Sequence, residues 1–233
     1  WKVIKETFEN DCDYDVYFQV LNAKDYGVPQ SRERLYCIGF KKETDFKYPA
    51  PITLERTVYD YLQQDVDSKY LLKQKGAFFI TRSINIQKSY TQVNGNIMLC
   101  QKRNQQFNWH GDFIYHPKLK NDPSTPETDE TLFNVSDYEE DYYSKNAPER
   151  YAIEKNDSSL HMRPVAQNKI VPSMGRYRKL TPRECLRLMG FDDSFNIVVS
   201  DTEAYKQSGN SIVVNVLMAI LRQMDITKFG YDG

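Results

Sequence analysis

Two arginines, two residues apart, are the first side chains in this sequence whose type and spacing suit a chemical role. Arg32 and Arg34 follow Gln30 in the run Gln-Ser-Arg-Glu-Arg, which leads directly into a short apolar segment. On an extended backbone, side chains at i and i+2 point the same way, so both guanidiniums would present planar forks of donors to one side. Such forks suit phosphates and the carbonyl edge of a base. The alternative is that both arginines pair with surface carboxylates, which is the commoner use of arginine.

The charge balance hides two stretches of opposite sign. The 233 residues carry 31 Lys and Arg against 32 Asp and Glu, which gives a formal net charge of −1. Residues 121–144 contain eight carboxylates and no basic residue, whereas seven basic residues between 163 and 187 face a single Glu184. Basic residues that converge on one surface bind a polyanion even in a near-neutral protein, and Arg176, Arg178 and Arg183 are candidates for this. The alternative is two solvated faces of opposite charge.

Length and composition restrict the class of protein. A chain of 233 residues forms one domain of ordinary size or two small ones. The sequence contains no apolar run near the ~18 residues that span a bilayer, and no signal peptide is visible. The four cysteines are scattered, without a Cys-x-x-Cys pair or neighbouring histidines. This pattern argues against a disulfide scaffold and a metal site, and it predicts an intracellular protein.

The elements that must position these side chains are marked by caps and turns. A helix is predicted over residues 1–10, and strands over 14–21 and 35–40 flank the loop that carries the arginines. Thr53 is predicted to cap a helix, and Asn94-Gly95 to join strands 90–93 and 97–100 in a hairpin. Thr181-Pro-Arg-Glu184 is a capping box, with Gly190 where its helix should end. The last helix, 211–224, is apolar on most faces and should pack inside a larger body.

Three segments resemble, in order, sequence motifs of the DNA (cytosine-5)-methyltransferases. Residues 21–36, Leu-Asn-Ala-Lys-Asp-Tyr-Gly-Val-Pro-Gln-Ser-Arg-Glu-Arg-Leu-Tyr, resemble the eighth motif of that family. Residues 178–191, Arg-Lys-Leu-Thr-Pro-Arg-Glu-Cys-Leu-Arg-Leu-Met-Gly-Phe, resemble the ninth, and residues 205–215, Tyr-Lys-Gln-Ser-Gly-Asn-Ser-Ile-Val-Val-Asn, resemble the tenth. The long variable stretch between the eighth and ninth motifs lies where the family keeps its target-recognition domain.

The resemblance implies an α/β fold and a division of the chain. The fold would be the C-terminal part of a Rossmann-like, S-adenosylmethionine-dependent methyltransferase sheet plus a small, irregular, strand-rich target-recognition domain. Residues 1–48 would end the catalytic domain, residues 49–208 would form the recognition domain including the ninth motif, and residues 209–233 would return as a helix to the catalytic domain. The two catalytic pieces would complete a parallel sheet whose first strands lie outside this sequence.

The resemblance also implies roles for individual residues. In the family, the second arginine of the eighth motif reaches O2 of a cytosine flipped into a pocket; this role falls on Arg34, with Arg32 beside it and Gln30 supporting the geometry. Fixed donors help to recover the stacking that a flipped base loses, and a cation at O2 stabilises negative charge that builds on the ring. Asn210 and Ser211 would line the S-adenosylmethionine pocket from the methionine side. A second interpretation, compatible with the first, makes them the start and cap of the last helix.

The variable stretch contains the side-chain types that read base edges. Arginine suits guanine, and glutamine and asparagine suit adenine. Residues 90–110 are the predicted major-groove surface, although the target sequence cannot be read from them. Trp109 could instead belong to the core, and His110 could be a satisfied polar group. The candidate DNA contacts here are Arg103, Gln105, Gln106, Asn108 and His110.

The catalytic motifs of the family are missing. None of the four cysteines follows a proline, as the nucleophile of the family does, and the chain contains neither Glu-Asn-Val nor a Gly-rich donor turn. The predicted function is therefore part of a restriction-modification enzyme that methylates C5 of cytosine in a specific duplex sequence in the bacterial cytoplasm. The chain alone should be inactive and should need the missing N-terminal catalytic half, in the same or a separate chain. The alternatives are a naturally separate DNA-recognition subunit without catalysis and an RNA-directed relative, which the long recognition stretch disfavours.

Overall fold

The computed structural model describes residues 2–81, 85, 88–104, 110–117, 133–134 and 174–224, and these form a mixed α/β structure with two sheets. No helix in these ranges combines the length and the apolarity needed to cross a membrane. Three 3₁₀ helices, Ala23–Tyr26, Val58–Tyr61 and Ser68–Tyr70, lie in the connections. The α-helices and strands, in chain order, are α1 (Lys2–Glu6), which is followed by a π-helical turn (Thr7–Asp11), β1 (Asp15–Asn22), β2 (Glu33–Phe40), α2 (Gln74–Thr81), β3 (Thr91–Val93), β4 (Gly111–Pro117), β5 (Phe133–Asn134), β6 (Met174–Lys179), α3 (Pro182–Arg187), α4 (Asp201–Asn210) and α5 (Val214–Gln223).

The first sheet consists of β1 and β2, which pair antiparallel with Leu21 opposite Arg34. Both strands were predicted, but the expected remnant of a parallel sheet was wrong for the described part of the chain. The loop between the strands reverses the chain because the Asn22 side chain accepts hydrogen bonds from the backbone N–H groups of Lys24 and Arg32. Gly27 closes the 3₁₀ turn at φ 83°, a left-handed conformation that glycine adopts without strain.

The two faces of this hairpin differ in what covers them. One face packs on α5, in a core built from Leu21, Tyr26, Val28, Phe46, Met189, Val213, Val216 and Ile220. The other face carries Phe18, Val20 and Leu35, which are 45%, 57% and 48% exposed. Because Val20 and Leu35 are direct register partners, the exposed side chains form one continuous apolar strip.

The second sheet has the strand order β3-β4-β6-β5. β3 pairs parallel with β4, and β4 pairs antiparallel with β6. The predicted hairpin at Asn94-Gly95 was therefore wrong. Asn94 does adopt the left-handed turn conformation, at φ 52°, but the chain beyond it leaves the sheet, because Met98 forms a parallel bridge with Gln30.

The helix starts agree with the sequence prediction at Thr181 and differ from it at Thr53 and Ser200. The capping box of α3 is confirmed, with Glu184 N–H donating to the Thr181 hydroxyl and Gly190 in the left-handed conformation just beyond the helix. The helix predicted from Thr53 was wrong: the turn begins at Thr57, whose N–H donates to Asp60 at 2.7 Å, and it ends after one 3₁₀ turn. The helix α4 was missed, although Ser200 accepts from Glu203 N–H as an N-cap should.

The start of the last helix was also wrong. Asn210 is the final residue of α4 and Ser211 follows it as the C-terminal cap, whereas α5 begins at Val214. Ser211 and Ile212 therefore lie in a tight connection between two helices. This connection brings the tenth motif close to β2.

Candidate functional site

Gln30 links three parts of the chain that are distant in sequence. Its side chain is fully buried, and its Nε2 donates to the backbone oxygen of Leu188 at 2.7 Å, just after α3. Its Oε1 accepts from the backbone N–H of Gln101 at 3.0 Å. Both ends of the amide are thus satisfied by backbone, which fixes the loop that carries the arginines against the ninth motif and residues 98–103, hereafter the connecting segment.

Arg32 is buried and donates its hydrogen bonds to backbone oxygens within the protein. The residue is only 6% exposed, and burial lowers the pKa of its guanidinium. Its Nη1 donates to the backbone oxygen of Gln101 at 2.6 Å, and its Nη2 donates to the backbone oxygens of Gly209 at 3.2 Å and Ser211 at 2.9 Å. Arg32 therefore fastens β2 to both the connecting segment and the tenth motif.

Arg34 remains exposed, at the mouth of a cavity. Its Nη1 donates to the backbone oxygen of Glu33 at 2.6 Å, and its Nη2 lies 3.3 Å from the sulfur of Cys100. The cavity beside it has a volume of about 410 Å³. Its lining residues are Arg32, Arg34, Leu35, Tyr36, Cys37, Asn210, Ser211 and Ile212.

The structure thus brings the eighth and tenth motifs to one cavity. Asn210 is exposed there and makes no hydrogen bond through its side chain to any residue that the structure describes. The Ser211 hydroxyl donates to the neighbouring backbone oxygen of Ile212 at 3.1 Å, which leaves its own lone pairs available. The cavity therefore offers an amide, a hydroxyl and the Arg34 guanidinium to a polar ligand.

The candidate DNA contacts of the variable stretch are only partly described. Arg103 is exposed at the end of the connecting segment. His110 is half-buried, and its ring stacks between Phe79 and Tyr90, with centroids 5.8 and 5.1 Å away. Gln105, Gln106 and Asn108 lie outside the described residues, as do Trp109 and the acidic stretch apart from Phe133 and Asn134.

The ninth-motif region needs one correction. Arg178 was expected to contact DNA, but it is 3% exposed and forms a two-pronged ion pair with the fully buried Glu184, at 2.8 and 2.9 Å. The same carboxylate accepts the Thr181 N–H of the capping box, so Arg178 is part of the internal structure of this motif. Arg176 and Arg183 are partly exposed, and the Nη1 of Arg183 is buried without a partner among the described residues.

The sequence analysis did not identify three residues that contribute to the site, Cys100, Gln101 and Gly209. The sulfur of Cys100 contacts both arginines of the eighth motif, and the backbone oxygen of Gln101 accepts from Arg32. Gly209 must be glycine because a Cβ there would overlap backbone atoms of Lys102 and Arg103. A glycine before Asn210 at the end of a helix is a weak signal of such close packing, whereas nothing marks the other two.

Among the described residues, no group of three or more His, Cys, Asp or Glu side chains could hold a metal ion. The family model of the C-5 cytosine-specific DNA methylases matches residues 1–225. This chain belongs to that family. The resemblance seen in three short motifs thus extends through the variable stretch and over nearly the whole sequence.

The curated relatives are type II methyltransferases. The chain is 34% identical to the type II methyltransferase M.SsoII of Shigella sonnei, over 96% of this chain and 48% of that protein. It is 32% identical to M.HhaI of Haemophilus parahaemolyticus, over 94% of this chain and 55% of that protein. The methylase chain described here therefore spans about half the length of the curated relatives that it matches.

Solved methyltransferases share the fold at low sequence identity. The Dnmt2 methyltransferase of S. pombe superposes with a TM-score of 0.57 at 17% identity, over 99% of this chain and 61% of that chain. The methyltransferase EhMeth of Entamoeba histolytica gives the same TM-score at 15% identity, over 98% and 59% of the two chains. The α/β arrangement is therefore that of this methyltransferase fold.

Proposed function

We propose that this chain is the recognition and pocket-closing part of a DNA (cytosine-5)-methyltransferase of the restriction-modification type. The complete enzyme would transfer a methyl group from S-adenosylmethionine to C5 of a flipped cytosine in a specific duplex sequence, on chromosomal DNA in the bacterial cytoplasm. The observation that carries the proposal is the shared cavity of Arg34 and the Asn210–Ser211 pair.

Arg34 is the donor assigned to the base. It is the exposed member of the arginine pair and lines the cavity, whereas the Arg32 guanidinium donates to backbone oxygens. A planar guanidinium can donate to the O2 oxygen of cytosine and keep its charge while the ring becomes negative. This division gives Arg34 the contact with the base and gives Arg32 and Gln30 the task of holding the pocket in shape.

S-adenosylmethionine, which supplies the methyl group, fits the other wall of the cavity. Its amino acid end needs hydrogen-bond partners, and the Asn210 amide and the Ser211 hydroxyl provide them. Tyr36 and Ile212 add apolar surface beside these groups, as cofactor pockets commonly do. The remaining cofactor contacts would come from the Gly-rich segment that this sequence lacks.

The exposed apolar strip on the β1–β2 hairpin supports the proposal of a complementary catalytic segment. Phe18, Val20 and Leu35 form the exposed strip, and Val3, Ile4 and Phe8 are also exposed nearby in sequence. A contiguous exposed apolar patch on a protein surface commonly marks a contact with another protein segment. A segment carrying the Pro-Cys nucleophile and the donor turn, in the same or a separate chain, is the partner we propose. The division into residues 1–48, 49–208 and 209–233 remains part of this proposal.

Complementation tests the proposal. The 233-residue chain, a segment with the Pro-Cys and Gly-rich motifs, and their mixture are assayed for transfer of the methyl group of S-adenosylmethionine to duplex DNA. Only the mixture should methylate cytosine C5. Methylation by the chain alone would refute the assignment of roles, and preferential methylation of tRNA would favour the RNA-directed alternative.

A further inference from the structure

The connecting segment, residues 98–103, is attached to the loop of the eighth motif along its backbone. Met98 N–H donates to Pro29 O at 2.9 Å, and Ser31 N–H donates to Met98 O at 2.9 Å. Gln101 receives the Arg32 guanidinium on its oxygen and gives its N–H to Gln30. These bonds at Met98 and Gln101 attach the segment to the loop that carries the arginines.

The tenth motif holds the same segment from the other side. Gly209 packs directly on the backbone of Lys102 and Arg103, where a Cβ would overlap. The Gln101 side chain, which is 1% exposed, reaches the Ser208 hydroxyl at 3.4 Å. The segment is therefore enclosed between the two motifs that line the cavity.

The second sheet, β3-β4-β6-β5, which we call the recognition sheet because it lies in the proposed recognition domain, contacts the segment as well. Asp112 in β4 is buried, and its carboxylate accepts the N–H of Leu99 at 2.9 Å and the amide of Gln92 at 2.8 Å. Gln92 lies in β3, so both parallel strands of the sheet contact the segment through one carboxylate. Hydrogen bonds through Asp112 thus connect the sheet to residue 99 of the segment.

The connecting segment, which the sheet holds through Asp112, in turn contacts Arg34 through Cys100. The sulfur of Cys100 lies 3.3 Å from Nη2 of Arg34 and 3.6 Å from Nη1 of Arg32. Apart from the adjacent Glu33 oxygen, the sulfur is what holds the Arg34 guanidinium within the described part of the chain. Without it, a long side chain on an exposed strand position would have several rotamers open to it.

We propose that the connecting segment positions the Arg34 guanidinium through Cys100, which is thus a positioning residue that links the sheet β3-β4-β6-β5 to the base pocket. The inference rests on the function proposed above, since Arg34 needs a base to act on. Cys100 itself touches no substrate; it acts through Arg34. Misplacement of a catalytic group by about 1 Å can cost on the order of 10²-fold in rate, so a weak sulfur contact at this point has a measurable effect.

The test uses the complete methyltransferase that contains this chain, in single-turnover methylation of its cognate duplex. Cys100→Ala should lower the rate constant by about 10-fold and leave the Kd for DNA nearly unchanged, because positioning is lost but binding is not. Cys100→Ser retains an acceptor for the guanidinium and should recover most of the rate. Cys12→Ala, a change at a cysteine outside the site, is the matched control and should behave as the parent enzyme.

A double-mutant cycle separates positioning from a general structural effect. If Cys100 acts through Arg34, the double variant Arg34→Ala/Cys100→Ala should be no slower than Arg34→Ala alone. Multiplicative losses in the double variant would overturn the proposal, as would a Cys100→Ala enzyme with an unchanged rate or a Cys100→Ser enzyme as slow as Cys100→Ala. If Cys100→Ala fails to fold, Cys100→Val takes its place with the same expected rate. A parent enzyme that methylates no cytosine would instead contradict the proposed function.

Discussion

Arg32 and Arg34 show how two identical side chains, two residues apart, take different roles. The Arg32 guanidinium donates its hydrogen bonds to backbone oxygens, whereas Arg34 is exposed and lines the cavity. The sequence predicted that both would point the same way, and it contained no sign that one would be buried. The difference arises because Gln101, Gly209 and Ser211 present their carbonyl oxygens around Arg32.

Arg34→Ala should affect the chemical step far more than DNA binding. In the complete enzyme, removal of a donor aimed at developing charge should lower the methylation rate by ~10²–10³. Single-turnover rates and DNA affinities, measured on the same preparation, check this. Equal proportional losses in rate and affinity would make Arg34 a backbone contact instead.

The buried ion pair of Arg178 and Glu184 should contribute more to the free energy of unfolding than the exposed ion pair of Arg187 and Asp193. Glu184→Ala leaves a guanidinium uncompensated in the interior, which typically costs about 3–5 kcal/mol in the free energy of unfolding. Asp193→Ala is the matched control, because it breaks the Arg187–Asp193 pair on the surface, where solvent screening leaves an ion pair with little effect on stability. Urea denaturation of both variants measures the difference; similar losses would contradict the role given to burial.

At the scale of elements, β4 carries a pH-dependent group. Burial raises the pKa of Asp112 to about 8, against the hydrogen bonds from Leu99 and Gln92, which lower it. The unfolded value is about 3.9. Between these two values the folded protein keeps a proton that the unfolded chain has released, so stability should fall as the pH rises from about 4 to about 8.

Asp112→Asn removes this titration, because an amide is neutral throughout. Between pH 5 and 7.5, the free energy of unfolding should therefore fall less steeply with pH in the variant than in the parent protein. The difference between the two slopes should correspond to about one bound proton. Denaturation curves at a series of pH values measure it. The control is Asp193→Asn, since the pKa of Asp193 is lowered by Arg187 and its contribution is lost only as the pH falls below about 4. An unchanged slope in Asp112→Asn would show that this carboxyl is ionised in the folded state.

The elements that local rules govern were predictable, and those that distant contacts decide were not. The capping box at Thr181 and the strands around the arginine loop follow from caps and alternation within a few residues. The hairpin at Asn94-Gly95 satisfied the same kind of rule, yet Asp112 and Gln30 draw the following residues out of the sheet. The Arg34–Asn210 cavity could be anticipated only through the family motifs, because its walls come from the two ends of the chain.

At the scale of the whole molecule, charge should govern the contact with DNA. Binding of the 233-residue chain to duplex DNA should be weak and should fall steeply between low and physiological salt, because phosphate contacts release counterions. Arg103→Ala should reduce the slope of log K against log salt by about 1. Lys2→Ala, at an exposed lysine of α1, is the control and should leave the slope unchanged. A flat salt response, or tighter binding to tRNA than to duplex DNA, would contradict the assignment.

The close packing of Gly209 on Lys102 and Arg103 has a consequence for engineering. In a chimera that carries the recognition domain of another methylase, this contact would join transplanted and host residues. A chimera joined near residue 49 would replace Lys102 and Arg103, on which Gly209 packs. The splice site with the least disturbance lies after Arg103, which retains the host's own residues 98–103. Grafts made there should express as folded protein more often than grafts made at residue 49, provided that the β4 equivalent of the module pairs with the host's β3.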